Sequence, residues 1–285
     1  MRSIGTPPRA RRIPRARIAW ALLCAAPLAA GPPATSILTR WDLETGPSAV
    51  QDLPGQLTEV SGLAVSPDGR IFAHSDENGE VTELDPATGS RIARFGIGRS
   101  PVEGDFEGIA WADGRLFLIT SEGTIAEFPA GRDDTRVEYR RHVTGLNRTC
   151  EVEGLAHDAR AGALLVLCKR MYEGGPPGIY AFELGPMRLD PRPRHVVRAP
   201  SGDAVDPSGI VVHAETGHML VLAARQRRII ELDASGRPVA ERELRRSVHR
   251  QAEGIELLAD GTLLIADEGA GRRARLSWYR PASAP

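Results

Sequence analysis

One short phrase recurs five times along the chain: an acid or its amide, any residue, Glu or Ser, then Gly and a run of apolar residues. The copies are Glu59-Val60-Ser61-Gly62, Asp105-Phe106-Glu107-Gly108, Glu151-Val152-Glu153-Gly154, Asp206-Pro207-Ser208-Gly209 and Gln251-Ala252-Glu253-Gly254. Their glycines are 46, 46, 55 and 45 residues apart. A period of that length, filled with strand-like segments, predicts a β-propeller, because each unit is one small sheet that buries its faces only against its neighbours.

The second unit shows the pattern most clearly. Gly108–Ala112 is a short apolar run, and Asp113-Gly114 is a strong hairpin turn. Arg115–Thr120 is apolar without alternation, as in a strand covered on both faces. Thr124–Phe128 alternates, and 136–143 is a more polar outer strand. Ser66-Pro67-Asp68-Gly69 and Ala259-Asp260-Gly261 supply the same first turn in other units, and Val81–Asp85 and Ile229–Asp233 the same third strand. Residues 239–251 carry helix formers, but their place in the repeat makes them an outer strand and a loop. The third unit is lengthened by a loop over 171–177 and by Pro-rich residues 186–200.

The fifth unit stops after three strands, at Arg275–Tyr279. A spare strand, Ser36–Leu43, precedes the first unit, and we expect it to complete the last blade, since an open ring would leave a bare strand edge. The expected fold is all-β: a propeller of five four-stranded blades over residues 36–285, with the N-terminal strand closing the last blade. Six blades is the alternative count, and a β-sandwich the alternative fold.

Residues 1–35 differ from the rest. A basic start (Arg9 to Arg17) leads into an apolar core over Ile18–Ala30, small residues and a Pro-rich stretch. This is the layout of a secretory signal peptide followed by a short linker. The core is about 13 residues, short of the roughly 20 needed to span a bilayer. We therefore expect an exported, periplasmic protein with no membrane span in the mature domain; the alternative is an uncleaved N-terminal segment tethering it to the inner membrane. Without the signal, Cys150 and Cys168 remain. An even pair in an exported chain predicts a disulfide. A hairpin turning at Arg160-Ala161-Gly162 would bring the two close; two buried free thiols is the other reading.

Net charge is −1, so no global field recruits nucleic acid or anionic lipid. The arginines are scattered, without a nucleic-acid-binding cluster. Lys169 is the chain's one lysine. No Gly-x-Ser-x-Gly elbow, His-Glu-x-x-His helix, phosphate loop or dinucleotide fingerprint occurs.

In a propeller the starts of the first strands and the ends of the second strands share one face. That face should gather Asp105, Glu107, Glu151, Glu153, Asp206 and Glu253 from strand starts, and Asp76, Glu77, Glu122, Lys169, Arg170, Arg225, Asp267 and Glu268 from second-strand ends and their loops. Converging carboxylates either take up protons or attract a hard cation. Calcium accepts six to eight oxygens of this kind. The first six residues, with Glu107, Glu153 and Glu253 foremost, are the candidate calcium ligands, and structural hydrogen bonding at a strand start is the competing role. Lys169, Arg170 and Arg225, with Asp76, Glu122, Asp267 and Glu268, form the candidate ligand-binding rim, basic enough for phosphate; salt bridges to nearby carboxylates are the competing reading.

Taken together, Ser61-Gly62-Leu63-Ala64, Phe106-Glu107-Gly108-Ile109-Ala110, Val152-Glu153-Gly154-Leu155-Ala156, Ala252-Glu253-Gly254-Ile255, Leu167-Cys168-Lys169-Arg170 and Ile265-Ala266-Asp267-Glu268 resemble the SdiA-regulated (YjiK-like) family of bacterial envelope propellers. The resemblance covers residues 50–280 and implies a phytase-like or NHL-like propeller facing the periplasm. The expected role is non-catalytic: a binding or scaffold propeller for a small molecule or an envelope protein, with calcium at the channel mouth. The alternative is a metal-dependent phosphoester or lactone hydrolase using the same mouth.

Overall fold

The computed structural model describes residues 35–282. The expected signal segment lies outside the described residues, apart from its last position. Within them the chain forms five small sheets arranged in a ring.

Each blade runs outward from an inner strand. Blade 1 is Val60–Val65, Ile71–Ser75, Glu80–Leu84 and Arg91–Ile97; blade 2 is Phe106–Ala112, Arg115–Thr120, Thr124–Phe128 and Arg140–Val143. Blade 3 is Cys150–Asp158, Ala163–Met171 and Gly178–Glu183, with its outer edge split by the Pro-rich segment into Arg188–Leu189 and His195–Val196. Blade 4 is Gly209–Val212, Met219–Ala223, Arg228–Leu232 and Pro238–Glu243. Blade 5 is Ala252–Leu257, Leu263–Asp267 and Arg275–Tyr279, completed from the N-terminus. Asp113 and Gly114 both take positive φ, the conformation a tight Asp-Gly hairpin turn demands.

Closure occurs as expected, but through a different segment. Ala49–Asp52 pairs with Arg275–Tyr279, from Ala49 opposite Trp278 to Asp52 opposite Arg275. The expected strand at 36–43 is instead a 3₁₀ turn, Leu38–Arg40, with flanking chain. Ile37 and Leu38 are both buried, with Trp41 and Leu43, against side chains of blades 4 and 5. Consecutive residues of a strand point to opposite faces, so a strand with one buried face could not cover both. A buried carboxylate fixes this arm: Glu231 accepts from the Ser36 hydroxyl at 2.5 Å and from the Ile37 N–H at 2.9 Å, and meets His218 Nδ1 at 2.6 Å. The predicted strand over 136–143 also divides. Thr135–Val137 pairs in parallel with Arg91–Ile97, covering the outer edge of blade 1, and Arg140–Val143 alone completes blade 2.

Five apolar cores lie between successive blades. The cross-strand disulfide Cys150–Cys168, with Cα atoms 5.8 Å apart, sits in the one between blades 2 and 3. Three third strands carry a buried glutamate at the same register: Glu83 opposite Phe72, Glu127 opposite Phe117 and Glu231 opposite Leu220. Each meets a basic residue from the start of the second strand: Arg70, Arg115 and His218. Ala181 and Trp278 hold that position in blades 3 and 5. Among the described residues no helix is long and apolar enough to cross a membrane.

Candidate functional site: the channel mouth

The repeated glycine belongs to the packing of the axis. A Cβ at Gly108 would lie 2.6 Å from the Leu155 backbone nitrogen, and one at Gly209 would lie 2.5 Å from the Glu253 carbonyl oxygen. Neighbouring inner strands approach too closely there for any side chain. The next residues, Leu63, Ile109, Leu155, Ile210 and Ile255, are all buried and close the channel with an apolar ring.

The residue before the glycine is set by a bulge. In blades 1, 2, 3 and 5 the pairing of the first two strands skips one residue, and the skipped residues are Ser61, Glu107, Glu153 and Glu253. A bulged residue loses its cross-strand partner and is re-aimed. In blade 3 the opposite strand skips Lys169 as well, and the Glu153 and Lys169 side chains meet in a part-buried ion pair. In blade 4 the Ser208 hydroxyl instead donates to the Ala252 carbonyl at 2.7 Å, tying blade 4 to blade 5.

The mouth is electrically lopsided. On blades 3 and 4 the acids are matched: Glu153 with Lys169, Glu151 with Arg170 at 3.3 Å, and Asp206 with Arg225 at 3.3 Å. On blades 5, 1 and 2 they face one another. Burial pushes the Glu107 carboxyl up to about 9, reinforced by Glu153 and Asp105. Burial, then Glu153, raises Glu253 to about 8 against the pull of Lys169 and Gln251. Asp76 is raised by burial and by Glu59, and its Oδ1 is buried without a hydrogen-bond partner among the described residues. Burial, Glu59 and Asp76 raise Glu268, which takes a hydrogen bond from Gln251. Even Glu153 is raised to about 7 by burial, although Lys169 opposes this and itself stays cationic.

Most of the expected residues therefore share this end of the axis, in unequal circumstances. Asp105 and Glu122 are exposed. Asp267 lies inside blade 5 at 2% exposure: Oδ2 meets His249 Nδ1 at 2.7 Å and Oδ1 accepts the Arg250 N–H at 2.9 Å. His249 Nε2 in turn meets the Tyr279 hydroxyl at 2.7 Å, which makes a buried Asp–His–Tyr chain that sequence reasoning did not find. Its members come from three separate segments, so no local motif marks it. Among the described residues no three or more His, Cys, Asp or Glu side chains are gathered tightly enough to hold a metal ion as they stand.

Solved structures with a similar fold include Myxococcus xanthus glutaminyl cyclase, at 18% identity and TM-score 0.56 over 84% of this chain and 97% of that one. A luciferin-regenerating enzyme matches at 11% identity and TM-score 0.55, over 84% and 96% of the two chains. These likenesses concern the fold. The pattern of the SdiA-regulated family matches residues 43–270, and this propeller belongs to that family.

Proposed function

We propose that this is an exported propeller of the bacterial envelope that binds its ligand at the channel mouth without transforming it, and that a calcium ion is part of that site. The carrying observation is the cluster of unmatched acids on blades 5, 1 and 2. Burial, reinforced by the neighbouring carboxylates, raises Glu107 and Glu253 above neutral pH against the pull of Lys169. A divalent cation would supply positive charge and release the protons. Glu107, Asp105 and Asp76 are the residues that would turn toward the ion, with Glu253 behind them. The basic N-terminal layout and the Cys150–Cys168 disulfide support export to an oxidising compartment.

The hydrolase reading has weaker support. Lys169, Arg170 and Arg225, the cations that would receive a phosphate, each already face a carboxylate. A thermal melt with calcium and with chelator tests the binding reading. Calcium should raise the midpoint of the parent, more strongly at pH 8 than at pH 6, and should leave Glu107→Gln unmoved. No shift at either pH would remove the ion from the proposal. Turnover of a phosphoester or lactone, abolished by Glu153→Gln, would replace binding with catalysis.

A further inference from the structure

The face of the disc opposite the acidic mouth carries a larger feature. An open basin of about 600 Å³ is lined by the first hairpin turn of every blade, from Ser66-Pro67 in blade 1 to Leu258-Ala259-Asp260-Gly261 in blade 5. That volume is in the range of small-molecule sites. Its inner wall is aliphatic, with Val65, Ala156, Val211 and Leu257, and Trp111 stands among them with its ring stacked on Phe72 at 5.5 Å.

One position of the inner strands breaks the repeat. Two residues after each motif glycine the blades carry Ala64, Ala110, Ala156, Val211 and Glu256. Four are small and apolar, and the fifth is a carboxyl. Glu256 lines the basin, and its oxygens accept only backbone N–H groups, from Leu257 at 2.8 Å and from Val65. Burial pushes it to about 8, and no charged side chain acts on it. Asp113 also lines the basin, in the turn of blade 2, and most of the other charged groups are paired. Arg40 meets Glu215 at 3.7 Å and His213 at 3.0 Å, Arg160 donates to the Glu215 carbonyl at 3.3 Å, and the Asp158 and Asp260 carboxylates cap their own turns. His157 is kept neutral by burial.

We propose that this basin is a second ligand site and that it takes a small amphiphilic amine, its ammonium group on Glu256 and its apolar body against Trp111 and the aliphatic wall. The chemistry disfavours the other classes. An anion would face an unmatched acid. A wholly apolar molecule would cover Glu256 without giving it a partner. A metal ion would need several oxygens together, and the other carboxylates of the basin lie in the hairpin turns, with no three or more gathered to hold an ion among the described residues. An ammonium gives the carboxylate a charge-assisted hydrogen bond, and its arrival releases the Glu256 proton to solvent.

Calorimetric titration of the folded protein with phenethylamine and hexylamine, beside 2-phenylethanol and hexanol, tests this. The amines should bind, the alcohols much more weakly, with about one proton released per amine when two buffers of different ionisation enthalpy are compared. Glu256→Gln should weaken amine binding about tenfold or more, the scale of a hydrogen bond to a charged group. Val212→Phe, which narrows the basin and leaves Glu256 in place, should weaken it too and keeps the test available if Glu256→Gln folds poorly. Glu107→Gln, at the other end of the axis, should bind amines like the parent. Equal binding of amine and alcohol, unaltered binding in Glu256→Gln and Val212→Phe, or loss of binding in Glu107→Gln would each overturn the assignment. The last would place the amine at the acidic mouth.

Discussion

Glu107 offers the sharpest test of the mouth. Its carboxyl has an ordinary value of 4.5 and is pushed to about 9, first by burial and then by Glu153 and Asp105. A carboxyl raised by folding stabilises the native state in its protonated form. That contribution is complete below the unfolded value and is lost as pH climbs toward the folded one. An isolated, fully buried group would lose about 5 kcal/mol between pH 4.5 and pH 8, at about 1.4 kcal/mol per pH unit. Glu107 is only partly buried and shares its field with Glu153. A share of about 1–2 kcal/mol is therefore the expected loss, after discounting for solvent screening. Gln has the shape of the protonated acid and does not ionise. In chelator, Glu107→Gln should melt with the parent at pH 5 and above it at pH 8, by about 2–8 °C at roughly 2–4 °C per kcal/mol. Circular dichroism melts at pH 5, 6.5 and 8 measure this directly. Glu253 and Glu153 titrate in the same window and are common to both proteins, so the difference reports Glu107 together with its coupling to Glu153. Parallel midpoint-against-pH curves for the two proteins would refute the reasoning.

Removing the anchor of the N-terminal arm should be costly. Glu231→Ala leaves His218 and the Ile37 N–H without their acceptor, a change of about 3–5 kcal/mol. Hydrogen exchange at the Ile37 and Leu38 amides should rise with it, and unchanged exchange would show that the arm is held by packing alone. The Cys150–Cys168 bridge spans 18 residues, and a loop of that size contributes about 3 kcal/mol. Reductant should lower the parent's melting midpoint and leave a Cys150→Ala/Cys168→Ala double variant unmoved.

The repeat was legible because strand, turn and strand are local events. Asp113-Gly114 is a hairpin turn whatever surrounds it, and the unbroken apolar run at Arg115–Thr120 can only be a covered strand. Five motif glycines at near-constant spacing then fixed the ring. Long-range choices were harder to read. The segments 36–43 and 49–52 both precede the first blade, and only packing between blades 4 and 5 decides that the first is a wedge and the second a strand. Glu107, Glu153 and Glu253 were recognisable from the motif, but the bulges that turn them are properties of register, which a single strand does not display. Asp267-Glu268 looked like Asp76-Glu77, yet Asp267 holds the register of Ser75, opposite Ala252, and lies buried against His249. The glutamates at 83, 127 and 231 left a faint signal of their own, an acid near the end of three third strands with an Arg or His opening the second.

The seal of the ring joins segments more than two hundred residues apart, Ala49 to Trp278 and Asp52 to Arg275. Ala49–Asp52 must therefore wait, with its hydrogen-bonding edge unmet, until Arg275–Tyr279 has appeared. Contacts so distant along the chain form slowly. Under the export proposed above, a chain threaded across a membrane from its N-terminus would carry blades 1 to 4 to the far side as an unfinished arc. Completion would then be a single late event, and any truncation before residue 275 would leave the arc with no partner for its first strand.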